Sequence, residues 1–99
     1  MLDVIRNVPL QHIRDFIGIA DAGNMKAAQV SLSRSKEDIT SSLQLLEQKI
    51  GSPLIRRENN ALHLTSEARR LLPYANALVF CIDDIRRRLA EPETAQAAH

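Results

Sequence analysis

Seven apolar residues between Ala68 and Leu89 recur at intervals of 3, 4, 3, 4, 3 and 4. A half-buried strand would repeat every second residue and a solitary globular helix would show a broader stripe. A narrow seam repeating at about 3.5 residues belongs to two helices wound against each other. Residues 66–90 are therefore read as one long linker and dimerisation helix, with Ala68, Leu71, Ala75, Leu78, Ile82, Ile85 and Leu89 as the dimer interface of a homodimer. Thr65 is a suitable N-cap, and Glu67 stands in the first turn, near the positive end of the helix dipole. Leu72, Val79 and Phe80 widen the seam and offer apolar surface to the domain that precedes it. Pro73 is expected to bend the helix or loosen its first segment. Beyond Glu91 no apolar period continues, so residues 91–99 are expected to form a disordered tail.

Residues 1–65 read as a separate small domain. Pro9 stands where a helix can start, and Leu10, Ile13, Phe16, Ile17 and Ala20 then follow at helical spacing. Gly23 ends this helix and Asn24 caps a short second one that turns Met25, Ala28 and Leu32 inward. Ser33-Arg34-Ser35 forms a three-residue break, and Ser35 with Asp38 resembles a capping box for a third helix. Ile39, Leu43, Leu46 and Ile50 supply its inner face, and Gly51 stops it. Two short helices, a turn and a capped third helix make a helix-turn-helix. After Pro53, the run Leu54–Arg57, the turn Glu58–Ala61 and the alternation Leu62-His63-Leu64 read as a two-stranded wing with Asn59-Asn60 at its tip. Such a ribbon is marginal alone, so it is expected to lie against the helices. The fold class is mainly α, a winged helix-turn-helix of three helices and a two-stranded wing followed by the long helix.

Composition excludes several functions. No apolar run approaches the roughly 18 residues of a membrane span, and residues 1–10 carry Asp3 and Arg6 and lack the apolar core of a signal peptide. Cys81 is the single cysteine, so no internal disulfide forms, and a reducing, cytoplasmic location is expected. It lies beside the seam and reads as a small packed hydrophobe. His12, His63 and His99 lack metal-ligand spacing, and no metal or cofactor is expected. Ser33 and Ser35 have no neighbouring base, and the three glycines form no phosphate loop. The chain does not read as an enzyme.

The residues resemble the N-terminal domain of LysR-type transcriptional regulators. The matching pieces are Leu10-x-x-Ile13-x-x-Phe16, Gly23-Asn24-Met25-x-x-Ala28, Leu32, Ser35-x-x-x-Ile39-Thr40-x-x-Leu43-x-x-Leu46-Glu47, Ile50-Gly51-x-Pro53-Leu54-Ile55-x-Arg57, Leu64-Thr65 and Leu72-Pro73-x-Ala75. They run without gaps over about two-thirds of the chain and fix turn residues and core spacing together. The resemblance implies that the third helix enters the major groove of duplex DNA and that the wing reaches the flanking minor groove. It also implies an antiparallel dimer contact through the linker helix. The larger effector-binding domain that normally follows is missing from these 99 residues, so no small-molecule site is expected.

Arg34, Ser35, Lys36, Thr40, Ser41 and Gln44 on the turn and third helix, with Arg56 and Arg57 on the wing, are the expected DNA contacts. The departures from the family pattern fall on this surface. Arg34 replaces a usual hydrophobic residue, Lys36-Glu37 replaces Gln-Pro, and Ser41 stands where a basic residue is common. Residues 1–65 hold eight basic against seven acidic side chains, and Lys36–Lys49 has a net charge of −1. DNA is held mainly by neutralising its phosphates, so this balance leaves three readings of Glu37 and Asp38. They stabilise the helix dipole, they accept hydrogen bonds from bases, or they mark a module that has lost DNA binding. In the last case the chain is an interaction module that pairs with another transcriptional regulator through residues 66–90 or 35–50. A piece of a longer regulator is a further possibility.

Overall fold

The computed structural model describes residues 8–91; the expected tail therefore lies, apart from Glu91, outside the described residues. The order is α1 (Leu10–Ala22), α2 (Met25–Leu32), α3 (Lys36–Ile50), β1 (Ile55–Glu58), β2 (Ala61–Leu64) and α4 (Ser66–Ala90).

Each boundary has a local cause. Gly23, at φ 78°, turns the chain out of α1 while its N–H donates to Ile19 O at 3.0 Å. A glycine carries no Cβ to clash in that left-handed region. The Asn24 side chain accepts from Ala27 N at 2.8 Å, and the Ser35 hydroxyl accepts from Asp38 N at 3.1 Å. Each such cap satisfies one amide that the helix itself cannot, an effect of about 1 kcal/mol. Gly51, at φ 85°, closes α3 with its N–H on Glu47 O at 2.8 Å. Thr65 does two jobs. Its hydroxyl accepts from Ala68 N at 3.2 Å and donates to Pro53 O at 2.8 Å, joining the start of α4 to the segment before the wing.

Phe16, Ile19, Ala28, Ile39, Leu43, Leu46, Leu54, Ala68 and Ala75 form the core. Phe16 is its one aromatic residue and is fully buried. Helix α1 is the central member, touching α2, α3, β2 and α4. The strands pair antiparallel with Ile55 opposite Leu64 and Glu58 opposite Ala61, one residue longer toward the tip on each side than the alternation of leucines indicates. Asn59 and Asn60 both adopt positive φ, 50° and 68°, as a two-residue hairpin turn of matching twist requires. The wing does rest on the helices: Leu62 N donates to Gly23 O at 2.9 Å. The Glu47 carboxylate accepts from Leu54 N at 2.6 Å and Ile55 N at 3.3 Å. It thus holds the entrance to β1.

Asp15 is fully buried, and its carboxylate accepts from Gln11 Nε2 at 2.9 Å and from Arg34 Nε at 3.0 Å. A second guanidinium nitrogen of Arg34 reaches the Ser42 hydroxyl at 3.4 Å. Arg34, expected to face DNA, is instead drawn inward to the one buried carboxylate of the described core. An unpaired charge there would be far costlier than the loss of a surface contact. The ion pair ties α1 to the turn and, through Ser42, to α3.

Arg34→Val is expected to lower stability by about 3 kcal/mol, because the buried Asp15 side chain loses the guanidinium that meets it. The double change Asp15→Leu, Arg34→Val should recover most of that loss. Chemical denaturation of both variants measures the difference; equal losses would show the pair to be unimportant.

Candidate nucleic-acid interface

Helix α3 advances about 100° per residue. With Ile39, Leu43 and Leu46 buried, the opposite side carries Glu37, Ser41, Gln44 and Gln48, spaced four, three and four apart, and all four are exposed. Lys36 is exposed at the helix entrance, and Ser35 is exposed with its hydroxyl engaged as the cap. Thr40 is on the flank rather than this row. Its Oγ1 is buried and has no hydrogen-bond partner among the described residues. Gln48 was missed by reading the sequence alone, although its place four residues after Gln44 could have shown it.

The wing adds the cations. Arg56 lies opposite His63, and both are exposed on one face of the ribbon. Arg57 lies opposite Leu62 on the other face and is exposed. Glu37 and Asp38 are also exposed, and neither forms an ion pair with a described residue. The row on α3 is thus polar with an acidic head beside Lys36, while the two wing arginines are exposed on opposite faces of the ribbon.

The seam of α4 divides. Ala68 and Ala75 are buried in the chain's own core, so these two are not free for a partner, while Leu71 packs against that core and stays half-buried. Leu78, Ile85 and Leu89 are exposed, with Leu89 at 80%, and Ile82 is half-buried. The cause is length. A 25-residue helix runs about 37 Å, more than the winged domain can cover. Tyr74, Leu78, Cys81, Ile85 and Leu89 share one exposed row, so Cys81 is not packed, and Phe80, expected to widen the inner face, is also exposed. The helix is unbroken through Pro73. Tyr74 and Leu78 border an apolar groove of about 510 Å³ whose floor includes Ile13, Phe16, Leu46 and Ile50.

Arg14 of α1 pairs with Asp83 and so holds α4 beyond the reach of the core. The hydrogen bond from Arg14, helped by the Arg14 and Arg86 charges, keeps the Asp83 carboxyl below its ordinary 3.8. Asp84 is lowered likewise by hydrogen bonds from Arg88 and Arg87, which places two of the three clustered arginines in pairs along the helix itself. Among the described residues no group of His, Cys, Asp and Glu could hold a metal, and no helix is long and apolar enough to cross a membrane.

The architecture and this surface define a winged helix-turn-helix module. Residues 10–69 match the bacterial regulatory helix-turn-helix proteins of the lysR family, and the chain belongs to that family. It is similar to the HTH-type transcriptional regulator CzcR of Bacillus cereus, with 27% identity over 85 residues, 86% of this chain and 30% of the relative. It is also similar to the HTH-type regulator YnfL of Escherichia coli, with 29% identity over 83% of this chain and 28% of that protein. The chain thus spans about 30% of the length of these relatives. The family is one of transcriptional regulators rather than enzymes. Among solved structures, the CbnR DNA-binding domain in its complex with DNA matches over 92% of this chain and 99% of that one, with TM-score 0.76 and 28% identity. The oxidised form of OxyR from Corynebacterium glutamicum matches over 86% of this chain and 28% of that one, with TM-score 0.82 and 25% identity.

Because the Asp83 carboxyl is lowered in the folded chain, the stability it contributes is present above about pH 4 and is lost as pH falls through the folded value. Acidification should therefore loosen the second half of α4 before the core yields. Backbone relaxation by NMR should show the same loosening for Asp83→Asn at neutral pH. Unchanged dynamics in that variant would mean that Arg14 does not anchor the helix.

Proposed function

We propose that the chain is a DNA-binding transcriptional regulator acting in the cytoplasm as a homodimer. Each α3 lies in a major groove and each wing along the adjoining minor groove. The observation that carries this reading is the exposed row Ser41, Gln44 and Gln48 held by the helix-turn-helix core, with Lys36 exposed at the head of the helix and Arg56 and Arg57 exposed on the wing. Its support is the likeness, over nearly the whole chain, to a domain captured on DNA. Lys36, Arg56 and Arg57 neutralise phosphates, and Gln44 and Gln48 present amides that can pair with adenine. Ser35 and Ser41 can donate to backbone or base edges. Arg34 acts indirectly, by setting the pose of α3. The exposed row of α4 meets its counterpart in the second copy, and this pairing sets the separation of the two half-sites.

Fluorescence anisotropy against operator-like and genomic duplexes tests the main claim. Binding should weaken steeply with salt, and Arg57→Ala should weaken it for all sequences while lowering the salt slope by about one. Gln44→Ala should cost about 1–3 kcal/mol at one base position only. That Glu37 and Asp38 have no ion-pair partner among the described residues favours the second reading, an interaction module that pairs with another regulator. Absence of binding to any duplex at low salt, with capture of another regulator, would replace the first reading by the second.

The homodimer has its own test. Sedimentation at tens of micromolar should show a dimer for the wild type and a monomer for Leu78→Asp or Ile85→Asp. A wild-type monomer at that concentration would remove the dimer from the proposal.

A further inference from the structure

The row on α3 begins with a carboxylate. Glu37 shares its azimuth with Gln44 and Gln48, at seven and eleven residues' distance, and is exposed and unpaired among the described residues. Asp38 lies around the helix from it, on the edge it shares with Leu45. The two acids are therefore not equivalent. Both favour the helix dipole, but Glu37 alone is aligned with the amides of the row.

We propose that Glu37 is a specificity-determining residue that accepts a hydrogen bond from the N4 amine of a cytosine in each half-site. This rests on the DNA-binding reading given above. A carboxylate entering the major groove can be satisfied only by a donor. Guanine offers O6 and N7 acceptors there and thymine offers O4, so both oppose it. Adenine offers its N6 amine beside the N7 acceptor, a pattern that fits an amide side chain better than a carboxylate. Cytosine offers N4 as a donor. Residues at the start of a recognition helix are the ones that reach base edges, and Glu37 is the second residue of α3. The acidic head that opposes phosphate binding in general thereby converts weak overall affinity into choice of sequence.

The test is selection from a random duplex pool with the wild type, Glu37→Gln, Glu37→Ala and Asp38→Asn, run at a temperature at which the melting curves show all four to be folded. The wild type should enrich cytosine at one position per half-site, preferring it by about 5- to 150-fold. Glu37→Gln should shift that position toward adenine, Glu37→Ala should leave it without preference, and Asp38→Asn should keep the cytosine. If Glu37→Ala selects the same sequences as the wild type, or if only the Glu37 variants bind DNA, the carboxylate is merely repulsive and the proposal is overturned. If none of the four proteins recovers any duplex, the DNA-binding reading fails, and this one with it.

Discussion

The third helix is tied to the first through one ion pair whose carboxylate is fully buried. Asp15 has no exposure to water, so its charge must be met inside the protein, and Arg34 meets it from the turn between α2 and α3. The arginine is held in turn by a second bond to Ser42, on the inner side of α3. A hydrophobic residue in the turn would pack there without direction. A guanidinium fixes distances and angles as well, and three elements inherit that geometry. The pair therefore gives specificity of arrangement, while the aliphatic core around Phe16 gives the bulk of the burial.

The long helix serves two masters in succession. Its first half closes the core through Ala68 and Ala75, whose small side chains let it approach the domain closely. Its second half is held by Arg14 and by its own arginine pairs with Asp84, and leaves an apolar row in water. That row adjoins the groove beside Phe16 and Leu46, so the unpartnered surface of helix and domain is continuous.

Much of this was legible in the sequence, because the punctuation is chemical. Gly23, Asn24, Ser35, Gly51 and Thr65 act where backbone geometry and orphan amides demand such residues, and the wing follows from the alternation of Leu62 and Leu64. The failures have physical causes. A one-dimensional spacing cannot say which of two surfaces an apolar residue meets, so Ala68 and Ala75 looked like seam when they are core. Nor can it reveal partners far apart in the chain. Arg34 and Asp15 are nineteen residues apart, and each alone looks like an ordinary surface charge. For Thr40, on the flank, and Gln48, a residue the sequence reading leaves out, the difficulty is simpler, since only the angular position on α3 separates flank from face.

The single bond from Leu62 to Gly23 has a wider consequence. It fastens the wing to the hinge between α1 and α2, while Glu47 fastens the base of the wing to α3. Helix and ribbon are thus two prongs joined to one frame rather than two separately attached fingers. A duplex that is to meet both prongs has to present its two grooves at the offset the protein dictates. Under the proposed DNA-binding reading, the deformability of the DNA between those grooves becomes part of the selection, even at base pairs the protein does not touch.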